Sequence, residues 1–212
     1  MINCVINELL DNEYPGRLSQ YTMIFVLAGF LDAQDPRTSK HSRRVSIYSS
    51  VIGCRLNLSD EDKSTLRLAG LLHDIGKIGV QRALLHKPDR LTPDEINEIR
   101  KHAMFGYKIL AEVPELANVA NFVLYHHERI DGKGYPHGLA GKKIPLVSRI
   151  ICVADSFDAM VSSRQYKPII SPYEALEELK TCSGTQFDPE IVKIFGLYLK
   201  DKGFNLSEIS PF

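Results

Sequence analysis

The chain has 212 residues, 44% of them hydrophobic, which suits one large domain, or one domain with a short extension, around a sizeable core. Lys plus Arg number 26 and Asp plus Glu number 26, so no global field draws it onto a nucleic acid polymer or an anionic membrane, and phosphate binding would need a local cluster. Cys4, Cys54, Cys152 and Cys182 are scattered without a CxxC pair and read as buried free thiols, and no signal-peptide start or membrane-length apolar run appears, so the chain reads as cytosolic.

The pattern is helical nearly throughout. INCVINELL predicts a short opening helix broken at NEYPG, and residues 1–20 are read as a helical extension to a domain over 21–212. SQYTMIFVLAGFLDA follows as a buried helix, then a DPRTSK loop, then HSRRVSIYSSVIGCRL with Val45, Ile47, Ile52 and Leu56 at helical spacing. LSDEDKSTLRLAGLLHDIGK opens with a cap and early acids, which suit a helix N-terminus. IGVQRALLHKPDR reads as a connector, and LTPDEINEIRKHAMFGYKILAEV as one helix with Thr-Pro at its start. PELANVANFVLYHHE is another helix. IDGKGYPHGLAGKKIP is the one long irregular segment, and its length suggests a binding loop. PLVSRIICVADSFDAMVSSR, SPYEALEELKTC and DPEIVKIFGLYLK complete an all-α reading.

Of seven histidines, His86 and His137 fall in polar loops, while His41, His73, His102, His126 and His127 belong to helices or their ends. His73 precedes Asp74 at the end of the apolar run LRLAGLLHD, where an unpaired carboxylate would cost several kcal/mol, roughly, and so wants a cation or donors. Any one of these histidines alone is more simply a satisfied core or surface group. Five of them together with His-Asp and VADSFDA are harder to dismiss, and imidazole with carboxylate suits iron, manganese or zinc. In HHERIDGKGYP, adjacent helical residues point roughly 100° apart. Either one of His126 and His127 is ordinary packing, or a helix end lets both converge.

The motifs, in order, resemble the HD-domain phosphohydrolases and specifically their HD-GYP branch. LLHDIGKIGV is similar to the HDxGK core, LLHKPDRLTPDE to the LLxKPxxLTxxE connector, and KHAMFGYKIL to the HxxxGxxIL helix. HHERIDGKGYPHGLAGKKIPLVSRI carries the HHExxDGxGYP signature, and VADSFDAMVSSRQYK matches the segment that follows it; the resemblance runs from about Asp35 to about Phe195.

The resemblance implies an HD-domain helical bundle with a long GYP loop and two divalent metal ions, iron or manganese. His41, His73, Asp74 and Asp155 would surround one ion, with Asp74 bridging to a second completed by His102, His126 and His127. Some family members hold a third metal through a glutamate whose place here is Arg37, which cannot ligate a cation, so two ions are expected. Two ions about 3.5–4 Å apart lower the pKa of a bridging water and clamp a phosphoryl oxygen; with Asp74 they would form the catalytic centre. Lys77, as a catalytic group, would stabilise phosphate charge or assist the leaving group, where by itself it reads more simply as a solvated helix-end cation. Gly134, Tyr135 and Pro136 would border the substrate, with Tyr135 stacking on a base, although the same residues suit a plain turn. Arg164 and Lys167 would reach a phosphate or guanine. Asp158, one turn from Asp155, is a candidate supporting partner or a helix-surface acid.

The implied reaction is hydrolysis of cyclic di-GMP to linear pGpG, with onward cleavage to GMP left open. Two alternatives stand beside it: hydrolysis of 3',3'-cyclic GMP-AMP, and a binding module with weak turnover that docks on a diguanylate cyclase domain through the GYP loop.

Overall fold

The computed structural model describes Gly29, residues 36–162 and residues 169–206. The expected helices before Asp35, the 1–20 extension, Cys4, Arg164 and Lys167 lie outside that range, as does the side chain of Arg37. Among the described residues the architecture is helical, with two isolated backbone bridges and no strand.

Helix α1 spans Pro36–Arg55 and α2 Asp60–Leu72. Ser59 caps α2 by accepting from the Asp62 amide, and Asp60, Glu61 and Asp62 sit where the helix dipole favours negative charge. The expected connector is more structured than its sequence suggests: a 3₁₀ turn covers Ile75–Gly79 and a four-residue helix α3 covers Arg82–Leu85. Helix α2 therefore does not persist to Lys77. The turn presses against the next helical layer so closely that a Cβ on Gly76 would lie 1.9 Å from the His102 carbonyl oxygen.

The single helix expected from LTPDE onward is two, α4 (Pro93–Arg100) and α5 (His102–Ala111), broken at Lys101. Its start follows local chemistry, with Thr92 and Glu95 forming a reciprocal capping box ahead of Pro93. Helix α6 covers Ala117–Leu124 after a 3₁₀ turn at Pro114–Leu116. Helix α7 covers Leu146–Val161, and α8 (Pro172–Thr181) and α9 (Pro189–Asp201) form a C-terminal pair capped by Ser171 with Glu174 and by Asp188.

Helix α7 is the axis of the fold, touching α1, α2, α6, α8 and α9. It is apolar on nearly every side, as a surrounded helix must be. Phe157 is fully buried at the centre of an edge-to-face aromatic group, 5.3 Å from Tyr48 of α1 and 4.9 Å from Phe195 of α9. No helix among the described residues is long and apolar enough to cross a membrane. Cys54, Cys152 and Cys182 are free thiols, but only Cys152 is buried; the other two are half-exposed, which corrects the expectation that all are internal.

Candidate metal centre

Three of the site histidines are set by one local device. His73, His102 and His126 each follow the end of a helix and turn Nδ1 back to a last-turn carbonyl: Gly70 at 2.8 Å, Ile99 at 2.7 Å and Val123 at 2.6 Å. Helix ends leave such carbonyls without intrahelical donors, so the ring satisfies the backbone while the backbone fixes the ring. A carbonyl only accepts, so Nδ1 carries the proton and Nε2 presents a lone pair. His41, on α1, commits Nδ1 by a different route, 2.6 Å from Asp158 Oδ2, while its Nε2 faces Asp155.

All four Nε2 atoms face Asp74 and Asp155. His41 Nε2 is 3.0 Å from Asp155 Oδ1 and 3.9 Å from Asp74 Oδ2; His73 Nε2 is 3.4 Å from Asp74 Oδ2, and His102 Nε2 is 3.6 Å from Asp74 Oδ1. His102 and His126 bring their Nε2 atoms within 3.5 Å of each other. His73 Nε2 is buried without a hydrogen-bond partner. Three overlapping groups have ligand atoms within 4.8 Å of one another: His41, His73 and Asp155; His73, Asp74 and His126; His102, His126 and His127. His126 and His127, the adjacent pair, thus do converge, in the turn that follows α6.

Burial raises the cost of ionising Asp74, yet Lys77, His73 and His102 hold its carboxyl well below the usual range. Asp155 behaves alike, with His41 overcoming its burial. Burial opposes charge on His41, but Asp155 and Asp158 outweigh it and raise that imidazole to about 9. Burial pushes His126 well below its ordinary value, pushes His127 down to about 3 and lowers His102, with neighbouring imidazoles adding to each shift. These three are neutral, the form that offers lone pairs to a cation.

Lys77 lies on the 3₁₀ turn with Nζ 2.5 Å from Asp74 Oδ2. Asp158 sits behind His41, fully buried, and also accepts from Arg44 at 2.5 and 2.9 Å. His127 has no such clamp. Its ring is stacked instead on Tyr135, with centroids 4.8 Å apart at 29°, so Tyr135 orients a histidine of the cluster. Gly134 approaches its own chain: a Cβ there would lie 2.5 Å from the Arg129 nitrogen and from Glu128 Cα. Pro136 follows Tyr135 through a cis peptide bond.

Sequence reasoning passed over three residues. Glu128 is buried at 2% exposure and accepts amide hydrogens from His137 at 2.7 Å and Leu139 at 3.0 Å, tying the loop to its base. The HHE triplet contained it, but its partners lie in irregular backbone nine and eleven residues on. Arg44, one turn after His41, was visible only as helical spacing. Arg100 lies over Tyr135 with Cζ 5.1 Å from the ring centroid. On the far flank, Asp131 N donates to Thr185 O at 2.8 Å and Arg129 Nη1 to Gln186 Oε1 at 3.0 Å, joining the loop to the α8–α9 connection.

The HD domain family profile matches residues 26–191. A 3'3'-cGAMP-specific phosphodiesterase of Vibrio cholerae is 41% identical over 160 residues, which is 76% of this chain and 35% of that protein. A cyclic di-GMP phosphodiesterase of Thermotoga maritima is 39% identical over 177 residues, 82% of this chain and 48% of that protein. The chain therefore spans less than half the length of these relatives. Among solved structures, a cyclic GMP-AMP specific phosphodiesterase of V. cholerae superposes with a TM-score of 0.69 at 22% identity, over 89% of this chain and 50% of that one, a likeness of fold. With the profile match and the HD and GYP segments lying on one cluster, the chain belongs to the HD-domain family, in its HD-GYP branch.

Proposed function

We propose that the chain is a metal-dependent phosphodiesterase domain that hydrolyses cyclic di-GMP to linear pGpG. One observation carries it: four imidazoles, each with Nδ1 committed to an acceptor, converge their Nε2 atoms on two buried carboxylates, where Lys77 and the charged His41 now supply the balancing protons that cations would replace. The buried, partnerless Nε2 of His73 is what a cation would satisfy, so the donor set fits a metal.

In this reading His41, His73, Asp74 and Asp155 would hold one divalent ion, and Asp74 with His102, His126 and His127 would hold a second. Nitrogen and oxygen donors without thiolate favour iron or manganese. Bound there, the pair supplies positive charge for phosphoryl oxygens and an acidified water. Asp158 keeps His41 in the tautomer that points Nε2 inward. Lys77 neutralises Asp74, and with cations on that carboxylate its ammonium would be available to meet phosphate charge at the site. Tyr135 fixes His127, and Gly134 and Pro136 carry that ring into place. Arg164 and Lys167 stay assigned to substrate phosphate or guanine on the family motif alone.

A second substrate, 3',3'-cyclic GMP-AMP, is favoured by the 41% identity to the Vibrio relative named for it. The test is anaerobic purification, metal quantification per chain, and incubation with each dinucleotide with and without ferrous iron or manganese, products being separated by chromatography. Metal-dependent pGpG formation, lost in His73→Ala and Asp74→Ala, is the expected result. Faster cleavage of cyclic GMP-AMP would transfer the assignment to that substrate, and a chain that binds no metal under any condition would overturn it.

A further inference from the structure

We propose that Arg100 is a substrate-binding residue that donates to the phosphodiester group not being cleaved. This rests on the cyclic-dinucleotide reading above. Such a substrate carries two phosphodiesters, so while one lies at the imidazole cluster with Lys77, the other needs a cation further out. The chain is neutral overall, and that cation has to be local.

Arg100 is placed for this. Outward from the cluster, the His127 ring stacks on Tyr135 at 4.8 Å, and the Arg100 guanidinium lies over Tyr135 at 5.1 Å. The residue is exposed at the end of α4, two positions before His102. A guanidinium held over an aromatic face keeps N–H groups that can recognise phosphate oxygens in pairs. Those groups are largely unspent: among the described residues Arg100 donates to Asn97 Oδ1, at 3.4 Å. Arg44, Arg55, Arg129 and Arg149, by contrast, each pair with a carboxylate: Asp158, Asp201, Asp131 and Asp188. Lys101 beside it is occupied by Glu98. Arg100 is thus an oriented cation without a carboxylate among the described residues, adjoining the ring that holds a cluster histidine.

The experiment compares wild type, Arg100→Ala and Arg100→Lys in the metal-loaded protein on two substrates: cyclic di-GMP and bis(4-nitrophenyl) phosphate, which has a single phosphodiester. Arg100→Ala should raise KM for cyclic di-GMP by about tenfold with kcat little changed. It should leave kcat/KM for bis(4-nitrophenyl) phosphate and metal content at wild-type values. Arg100→Lys should recover part of the loss, and the wild-type KM should climb with salt more steeply than that of Arg100→Ala. An unchanged KM in Arg100→Ala overturns the inference. So does an equal loss on both substrates, which would make Arg100 a prop for Tyr135, and so does a lysine variant no better than alanine. A wild type that cleaves no cyclic dinucleotide refutes the proposed reaction instead; the affinity of wild type and Arg100→Ala for cyclic di-GMP then decides, equal or absent binding overturning the inference too.

Discussion

Replacing Glu128 by alanine should release the GYP loop while leaving the helical bundle folded. Glu128 is buried and accepts from the amides of His137 and Leu139 at 2.7 and 3.0 Å. A hydrogen bond to a carboxylate contributes about 1.5–3 kcal/mol, and the lower figure applies where freed amides can find water, as at exposed His137. Two such bonds anchor the segment by about 3 kcal/mol, on the order of a hundredfold in the opening equilibrium. Hydrogen exchange reads this directly: the amides of 137 and 139 should exchange on the order of a hundredfold faster in Glu128→Ala, with amides inside α7 unaffected. Glutamine is not a neutral replacement, because its amide group sets a donor against one of the two N–H groups, so Glu128→Gln should fall between. In the metal-loaded protein KM for the dinucleotide should rise as Tyr135 loses its fixed position. Wild-type exchange at 137 and 139 in the alanine variant would refute the reasoning.

Other perturbations have equally definite outcomes. Asp158→Ala should cut metal affinity by about 10- to 100-fold, read as metal retained per chain after dialysis against a chelator, because His41 loses the acceptor that fixes its tautomer. Adding metal to stripped protein at a hundred times its Kd should stabilise the fold by about 2.7 kcal/mol, roughly 5–10 °C in Tm, with no such rise in His73→Ala. Phe157→Ala should cost roughly 3–5 kcal/mol in urea unfolding, since Phe157 is fully buried between Tyr48 and Phe195. Leu197→Ala, at a side chain 51% exposed, should stay within about 0.5 kcal/mol.

Helix starts were legible because their chemistry is local: Thr92, Pro93 and Glu95 carry a complete N-terminal signal within four residues. The break at Lys101 was not, since it accompanies a tertiary fit, the 3₁₀ turn seating Gly76 against the carbonyl of His102. The site histidines were readable as a set, because residue type and order carry the family motifs. What holds them in place was not readable. The carbonyls of Gly70, Ile99 and Val123 are acceptors only because α2, α4 and α6 end where they do. Tyr135 illustrates the same gap: nothing in its sequence neighbourhood showed that its ring also meets His127 and Arg100. Arg164, Lys167 and the proposed 1–20 extension fall outside the described residues.

The anchoring of the 131–140 loop bears on how a ligand is chosen. Its neck is closed by the bridge between Asp131 and Ala140, its interior hangs from Glu128, and its flank is bonded to Thr185. If the proposed reaction holds, a segment restrained at three places would act more as a preformed mould than as a cover that folds down over its guest. The adjusting is then left to the ligand. Cyclic dinucleotides are flexible rings, and one that must reshape itself to fit spends part of its binding energy on doing so. Ring conformers that already match would be taken first, and discrimination between related dinucleotides would rest on ligand shape as much as on new contacts.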